Sequence, residues 1–158
     1  MATVSTATIK GVSHIGIRVS DMERSKAFYR EYLGWQEIFD APIQQDALAK
    51  LVQPFGIASN VTGRACGGRI GELRVELVQL EGAPADPPRR GLGIEQLTLA
   101  VSDAQVMYDR LKAAAVPVLS APVEIMDCKI FFALDPDGQP FEMVEYLVGE
   151  SGWSNETR

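Results

Sequence analysis

An internal repeat is the feature that most constrains this chain. Residues 11–21 read GVSHIGIRVSD, and much of that segment returns at residues 93–103 as GIEQLTLAVSD. A second pair of segments also matches, VELVQ at residues 75–79 and FEMVE at residues 141–145. With 158 residues, the chain is long enough for one domain, or for two small modules that share one core.

Hydrophobic alternation assigns a strand and then a helix to each copy. In residues 12–20, Ile15, Ile17 and Val19 share one face of a strand, and His14 lies on the other face. Ser20 and Ser102 each begin an S-x-x-E or S-x-x-Q capping box, which predicts helices over about 22–33 and 103–115. The same alternation predicts further strands near 35–39, 62–70, 72–80, 118–119, 123–133 and 140–146, the second-last with an irregularity at 126–127.

These elements give an α+β fold of two tandem β-α-β-β-β modules. Module one covers about 10–81, a linker with three prolines and two glycines covers 82–91, module two covers about 92–147, and 148–158 form a tail. Residues 41–56 are an insertion in module one, in which Ile43–Gln53 has helical spacing.

Composition excludes several classes of partner. A formal charge of −6 argues against nucleic acid, which requires a basic face. No apolar run approaches the roughly 20 residues that span a membrane, and no signal peptide is recognisable.

Cys66 and Cys128 lack zinc-type spacing, so we expect reduced thiols in a cytoplasmic protein.

The repeat also aligns polar residues that can bind a cation. His14 and Glu76 in module one correspond to Gln96 and Glu142 in module two. One imidazole nitrogen and three oxygen donors suit one divalent ion of the Zn, Ni, Co, Mn, Mg or Fe type, with positions open for water or substrate. Candidate lining residues on the same strand faces are Arg18, Arg74 and Thr98.

The repeated segments, together with FFALDPDGQPFEMVEY at residues 131–146, resemble those of the vicinal oxygen chelate superfamily. That group includes glyoxalase I, methylmalonyl-CoA epimerase, extradiol dioxygenases, fosfomycin-resistance transferases and bleomycin-binding proteins. The resemblance covers about 11–146, and it implies paired modules that form an open barrel-like cleft with a metal inside.

The single histidine of the chain narrows the branch that the resemblance implies. Dioxygenases and fosfomycin-resistance transferases use two histidines and one glutamate, which this chain does not supply. The set His14, Glu76, Gln96 and Glu142 is similar to that of the glyoxalase I and epimerase branches. The resemblance therefore implies a metal-dependent lyase or isomerase that moves a proton beside a carbonyl, with Glu142 or Glu76 as the base.

Two alternatives to this activity stay open on the sequence. The same fold makes binding proteins of the bleomycin-resistance kind that need no metal, and a ring-cleaving dioxygenase relative is a third interpretation. The family usually dimerises, which implies a homodimer, and the metal site could lie within one chain or across two. Trp35 and Phe39 could stack on a small-molecule substrate, or pack in the core or a dimer contact.

Overall fold

The computed structural model describes residues 12–45, 48, 60–83, 96–125 and 127–148. These residues form two four-stranded sheets and two long helices. In module one the elements are β1 (Ile15–Val19), α1 (Met22–Leu33), β2 (Gln36–Pro42), β3 (Thr62–Ile70) and β4 (Leu73–Glu81). In module two they are β5 (Leu97–Ala100), α2 (Ala104–Ala113), β6 (Val123–Ile125), β7 (Cys128–Leu134) and β8 (Pro140–Tyr146).

Both sheets have the same topology. The strand orders are β1-β4-β3-β2 and β5-β8-β7-β6, and in each sheet the first strand runs parallel to its neighbour while the others are antiparallel. The prediction of an α+β fold built from two β-α-β-β-β modules is therefore confirmed. Both sheets are open, and β1 and β5 are each the outer strand of a sheet.

The predicted helix positions are right, but the predicted capping residues are wrong. Asp21 caps α1 by accepting a hydrogen bond from the Arg24 amide, and Asp103 caps α2 in the same way. Each cap lies one residue after the predicted serine, because the aspartate carboxylate reaches the third amide of its helix. The freed Ser20 hydroxyl donates instead to Asp137 of module two, at 2.5 Å.

The long strand predicted over 123–133 is also wrong. The chain forms the antiparallel pair β6 and β7 there, with Ile125 opposite Cys128. The chain reverses between Ile125 and Cys128, which is where the irregularity was expected. Periodicity continues through a tight turn of this kind, so it does not reveal the change of direction.

The two modules share one hydrophobic core. On α1, Phe28 packs edge-to-face against Phe141 of β8, and the buried Tyr29 hydroxyl donates to Asp135 at 2.9 Å. Arg24 also pairs with Asp137 at 2.6 Å. Helix α1 of module one is thus held by the DPDG turn of module two, so the modules are fixed to each other by apolar and polar contacts.

Several predicted segments lie outside the described residues. They are most of the insertion with its helix over Ile43–Gln53, the linker and the tail. Of the insertion, residues 41–45 and 48 are described, and Leu48 is buried in a small second cluster with Val61. Neither of the two long helices is suited by length and hydropathy to cross a membrane.

Candidate active site on the open sheet faces

The two faces of the first sheet have different roles. Residues that are directly paired across strands project from the same face of a sheet. Ile17, Leu77 and Cys66 form one such row and are covered by α1. Gly16, Glu76, Gly67 and Phe39 form the adjacent row, which projects from the opposite face. We call this opposite surface the open face.

His14 and Glu76 lie together at the open face. His14 Nε2 is 3.7 Å from Glu76 Oε2, and the two side chains are 49% and 30% exposed. The Ser13 hydroxyl lies 3.1 Å from the other imidazole nitrogen, Nδ1. His14 immediately precedes β1 and Glu76 lies on β4, so the parallel pairing of these strands brings the two residues together.

Module two repeats this arrangement with a different pair. Glu142 lies on β8 opposite Thr98 of β5, and its Oε2 accepts a hydrogen bond from the Thr98 hydroxyl at 2.8 Å. Gln96, which immediately precedes β5, brings its amide nitrogen within 3.5 Å of the same oxygen. The sequence indicates Thr98 only as a lining residue, yet its hydroxyl contacts Glu142 more closely than the Gln96 amide does.

The two pairs occupy separate sheets. Within the described residues, the only group of three His, Cys, Asp or Glu side chains whose ligand atoms all lie within 4.8 Å is Glu37, Asp40 and Cys66. His14, Glu76 and Glu142 therefore do not converge to that distance in one chain. Each pair lies beside the outer strand of its sheet.

The two candidate lining arginines also lie on the open face of the first sheet. Arg18 of β1 is paired with Val78, and Arg74 of β4 is paired with Arg69 of β3. The row of Arg74 and Arg69 is the next row on the same face as the row of Glu76. Positive charge is thus concentrated beside the candidate ligands in a chain whose net charge is −6.

The cluster of Glu37, Asp40 and Cys66 lies under α1, on the face opposite the candidate site. Cations of the protein already occupy it. Lys26 Nζ is 2.5 Å from Asp40 and 3.1 Å from Glu37, and Arg64 contacts both oxygens of Asp40 at 2.7 and 2.6 Å. These hydrogen bonds, Arg64 first and then Lys26, hold the pKa of Asp40 well below its usual range. We assign this cluster a structural role, because a metal ion would have to displace Lys26.

Both cysteines are free thiols, as predicted. Burial raises the pKa of the Cys66 thiol to about 11, and the nearby Asp40 carboxylate adds to this shift. A thiol with this pKa is protonated at neutral pH and is a poor nucleophile or ligand. The candidate chemistry therefore rests on His14, Glu76, Gln96 and Glu142.

Comparisons with known proteins agree with this architecture. The family model of the glyoxalase/bleomycin resistance protein/dioxygenase superfamily matches residues 11–143. No curated protein sequence matches the chain significantly.

Solved structures with this fold share little sequence with the chain. A glyoxalase family protein from Bacillus cereus superposes with a TM-score of 0.75 at 16% identity, covering 92% of this chain and 100% of the other. A glyoxylase/bleomycin resistance protein/dioxygenase domain from Frankia sp. EAN1pec gives 0.68 at 22% identity, with 90% and 96% covered. The fosfomycin resistance protein FosX from Listeria monocytogenes, complexed with Mn(II) and sulfate, gives 0.60 at 16% identity, with 87% and 93% covered. The family match over most of the chain, on two modules of identical topology, means that this protein belongs to the glyoxalase/bleomycin resistance protein/dioxygenase superfamily.

Proposed function

We propose that the protein is a metal-dependent lyase or isomerase of the epimerase type, which moves a proton beside a carbonyl of a small substrate with neighbouring oxygens. The observation that carries the proposal is the duplicated pair of polar residues. The first residue of each pair, His14 or Gln96, immediately precedes the outer strand of its sheet. The second residue, Glu76 or Glu142, lies on the strand that pairs with that outer strand.

The donor set fits a divalent cation. A carboxylate from each module supplies negative charge, and the imidazole and the amide add neutral donors, which suits a hard or borderline ion with open positions. The side chains of His14 and Glu76 are partly exposed, so a ligand can reach them. Gln96 would present its amide oxygen, which requires only a half-turn of the amide group.

The chain's own residues would divide the work of binding and proton transfer. The bound ion would polarise both substrate oxygens and stabilise the enolate or enediolate. His14 and Gln96 would hold the ion, and Glu76 or Glu142 would take the proton from carbon and return it. Thr98 fixes one oxygen of Glu142 by its hydrogen bond, and the other oxygen has no hydrogen bond among the described residues.

We further propose that two chains complete each site. The pairs lie beside outer strands β1 and β5, which have free edges among the described residues. A second copy that placed its β5 beside β1 would bring Gln96 and Glu142 of one protomer to His14 and Glu76 of the other. The protein would then be a homodimer with two equivalent sites.

Metal analysis of the purified protein tests the site. We expect about one divalent ion per chain in the wild type, and its loss in His14→Ala and in Glu142→Ala. Glu124→Ala is the control, because Glu124 is a 66% exposed carboxylate on β6 outside the donor set. A wild type that holds no ion even after reloading would contradict the proposal and favour a small-molecule binding protein.

Mixed dimers test the sharing of the site. Co-expressed His14→Ala and Glu142→Ala chains would form one site with both halves intact and one with both halves damaged. Metal content should therefore recover to about half of the wild-type value. No recovery in a purified mixed dimer would place each site within a single chain. A monomer in light scattering would refute the dimer itself.

Proton exchange measures the reaction directly. The loaded protein should exchange the proton beside the carbonyl in members of an α-hydroxycarbonyl or acyl thioester panel. Oxygen uptake with a catechol would instead favour the dioxygenase interpretation.

A further inference from the structure

A bulge in β2 turns Phe39 to the open face. Glu37 pairs with Gly68 and belongs to the α1 face, where it contacts Lys26. Regular alternation would place Phe39 on that same face. The register shifts between Glu37 and Phe39, and Phe39 pairs with Gly67 in the row of Glu76. A bulge of this kind reverses the direction of the side chains that follow it.

Gly67 allows the Phe39 ring to lie against the sheet. A Cβ atom built on Gly67 would lie 2.1 Å from Phe39 Cε1 and 2.7 Å from Cζ. The ring thus occupies the space directly above the Gly67 backbone, beside Glu76. Phe39 is nevertheless 48% exposed. One side of the ring rests on the strand, and much of the remainder is available to a ligand.

The other aromatic candidate has a different position. Trp35 is 2% exposed, and its indole nitrogen donates to the Val75 carbonyl at 3.3 Å. Its ring lies against Gly68, on the α1 face. Trp35 is therefore a core residue, and Phe39 is the one of the two that can meet a substrate.

Module two places an aromatic residue in the matching row. Phe132 of β7 is the direct partner of Glu142, in the position that Gly67 holds beside Glu76. Each candidate carboxylate therefore has a phenyl ring beside it on the open face. In module one the ring comes from β2, and in module two it comes from β7.

We propose that Phe39 is the specificity-determining platform for an aryl group of the substrate, an inference that rests on the proposed function. The ring is flat and exposed beside Glu76, so a second ring can stack on it. The neighbouring row carries Arg74 and Arg69, which favour an anion. The substrate class is thus an aryl group joined to an anionic or enolisable oxygen pair.

Two hydroxamates test the platform. Benzohydroxamate and acetohydroxamate bind a metal through the same two oxygens, and only the first carries a ring. In the loaded wild type, calorimetry should show a preference for benzohydroxamate. In Phe39→Ala that preference should fall about tenfold, because stacking is lost while chelation remains. An unchanged preference would overturn the proposal.

Two glycine variants provide a matched pair. Gly67→Ala keeps Phe39 but displaces its ring, and it should reduce the preference as Phe39→Ala does. Gly16→Ala adds the same methyl group on the other side of Glu76, where a Cβ meets nothing within 4 Å. This variant should preserve the preference for benzohydroxamate. Equal effects of the two glycine variants would contradict a platform role for Phe39.

A metal-free measurement separates this inference from the proposed function. With metal removed, saturation-transfer NMR should show phenylacetamide ring protons contacting the wild type but not Phe39→Ala. If neither hydroxamate binds the metal-loaded preparation but this contact persists, the proposed metal chemistry fails and the platform stands. If both hydroxamates bind but the contact is absent or independent of Phe39, the platform fails alone.

Discussion

The buried hydrogen bond from Tyr29 to Asp135 joins the two modules, and its removal should measurably destabilise the protein. The two residues are 2% and 3% exposed. Asp135 Oδ1 accepts from the backbone amides of Asp137 and Gln139 at 2.9 and 2.8 Å. Its Oδ2 accepts from the Tyr29 hydroxyl. Tyr29→Phe therefore leaves Oδ2 buried without a donor among the described residues.

The expected loss in the free energy of unfolding is about 2 kcal/mol, the typical value of a buried hydrogen bond to a charged group. For a chain of this length each kcal/mol lowers Tm by roughly 2–4 °C, so Tm should fall by about 4–8 °C at neutral pH. Differential scanning calorimetry measures the change. Tyr108→Phe is the control, because among the described residues that hydroxyl has only an exposed contact with Lys112 at 3.5 Å, and the Tm of this variant should change by about 1 °C.

The same variant has a pH signature. Burial raises the pKa of Asp135 above its ordinary 3.8, and the Tyr29 hydroxyl opposes that shift by stabilising the charged form. Tyr29→Phe raises the pKa further. The hydrogen bond to the carboxylate is present while Asp135 is charged and is weakened once Asp135 is protonated. The difference in Tm between wild type and variant should narrow as the pH falls toward about 4. A difference near zero at neutral pH would refute the reasoning.

Three further substitutions test other contacts. Asp40→Asn should cost about 2 kcal/mol at pH 7, since it weakens charged hydrogen bonds to Arg64 and to Lys26, whose side chain is 8% exposed and keeps its contact with Glu37. Because the folded pKa of Asp40 is lowered, urea unfolding should show this gap above about pH 4 and its loss in stronger acid. Ser25→Ala should stabilise by about 0.5 kcal/mol in urea, since the buried Ser25 hydroxyl has no partner among the described residues, and a loss of stability would contradict this. Gly34→Ala should lower thermal stability by about 1 kcal/mol, because Gly34 ends α1 at a φ of 67°, and an unchanged Tm would contradict it.

Elements that follow a regular period could be predicted from the sequence. Helix α1 was predicted at 22–33 and is found at Met22–Leu33, because its apolar stripe and the glycine that follows it both mark its limits. Strand β3 was likewise predicted at 62–70 and is found at Thr62–Ile70. The repeat then determined the architecture, since two segments of one pattern adopt one topology.

Features that depend on a single residue or on distant contacts could not be predicted. The helix caps were misassigned because serine and aspartate are both good caps, and the Ser20 hydroxyl has a competing partner 117 residues away. The identities of His14, Glu76, Gln96 and Glu142 were visible in the repeat. Whether the two pairs meet within one chain was not visible, because the repeat does not state which copies face each other.

The β2 bulge shows how one residue can decide which side chains meet a ligand. Without it, Phe39 would follow Glu37 onto the α1 face, where Lys26, Asp40 and Arg64 already fill the available space. An aromatic ring there would separate charges that now neutralise one another. The bulge lets Glu37 and Asp40 both reach Lys26 while Phe39, between them in sequence, lies beside Glu76. The ion pairs under α1 therefore favour the bulged register, and that register places the ring on the open face.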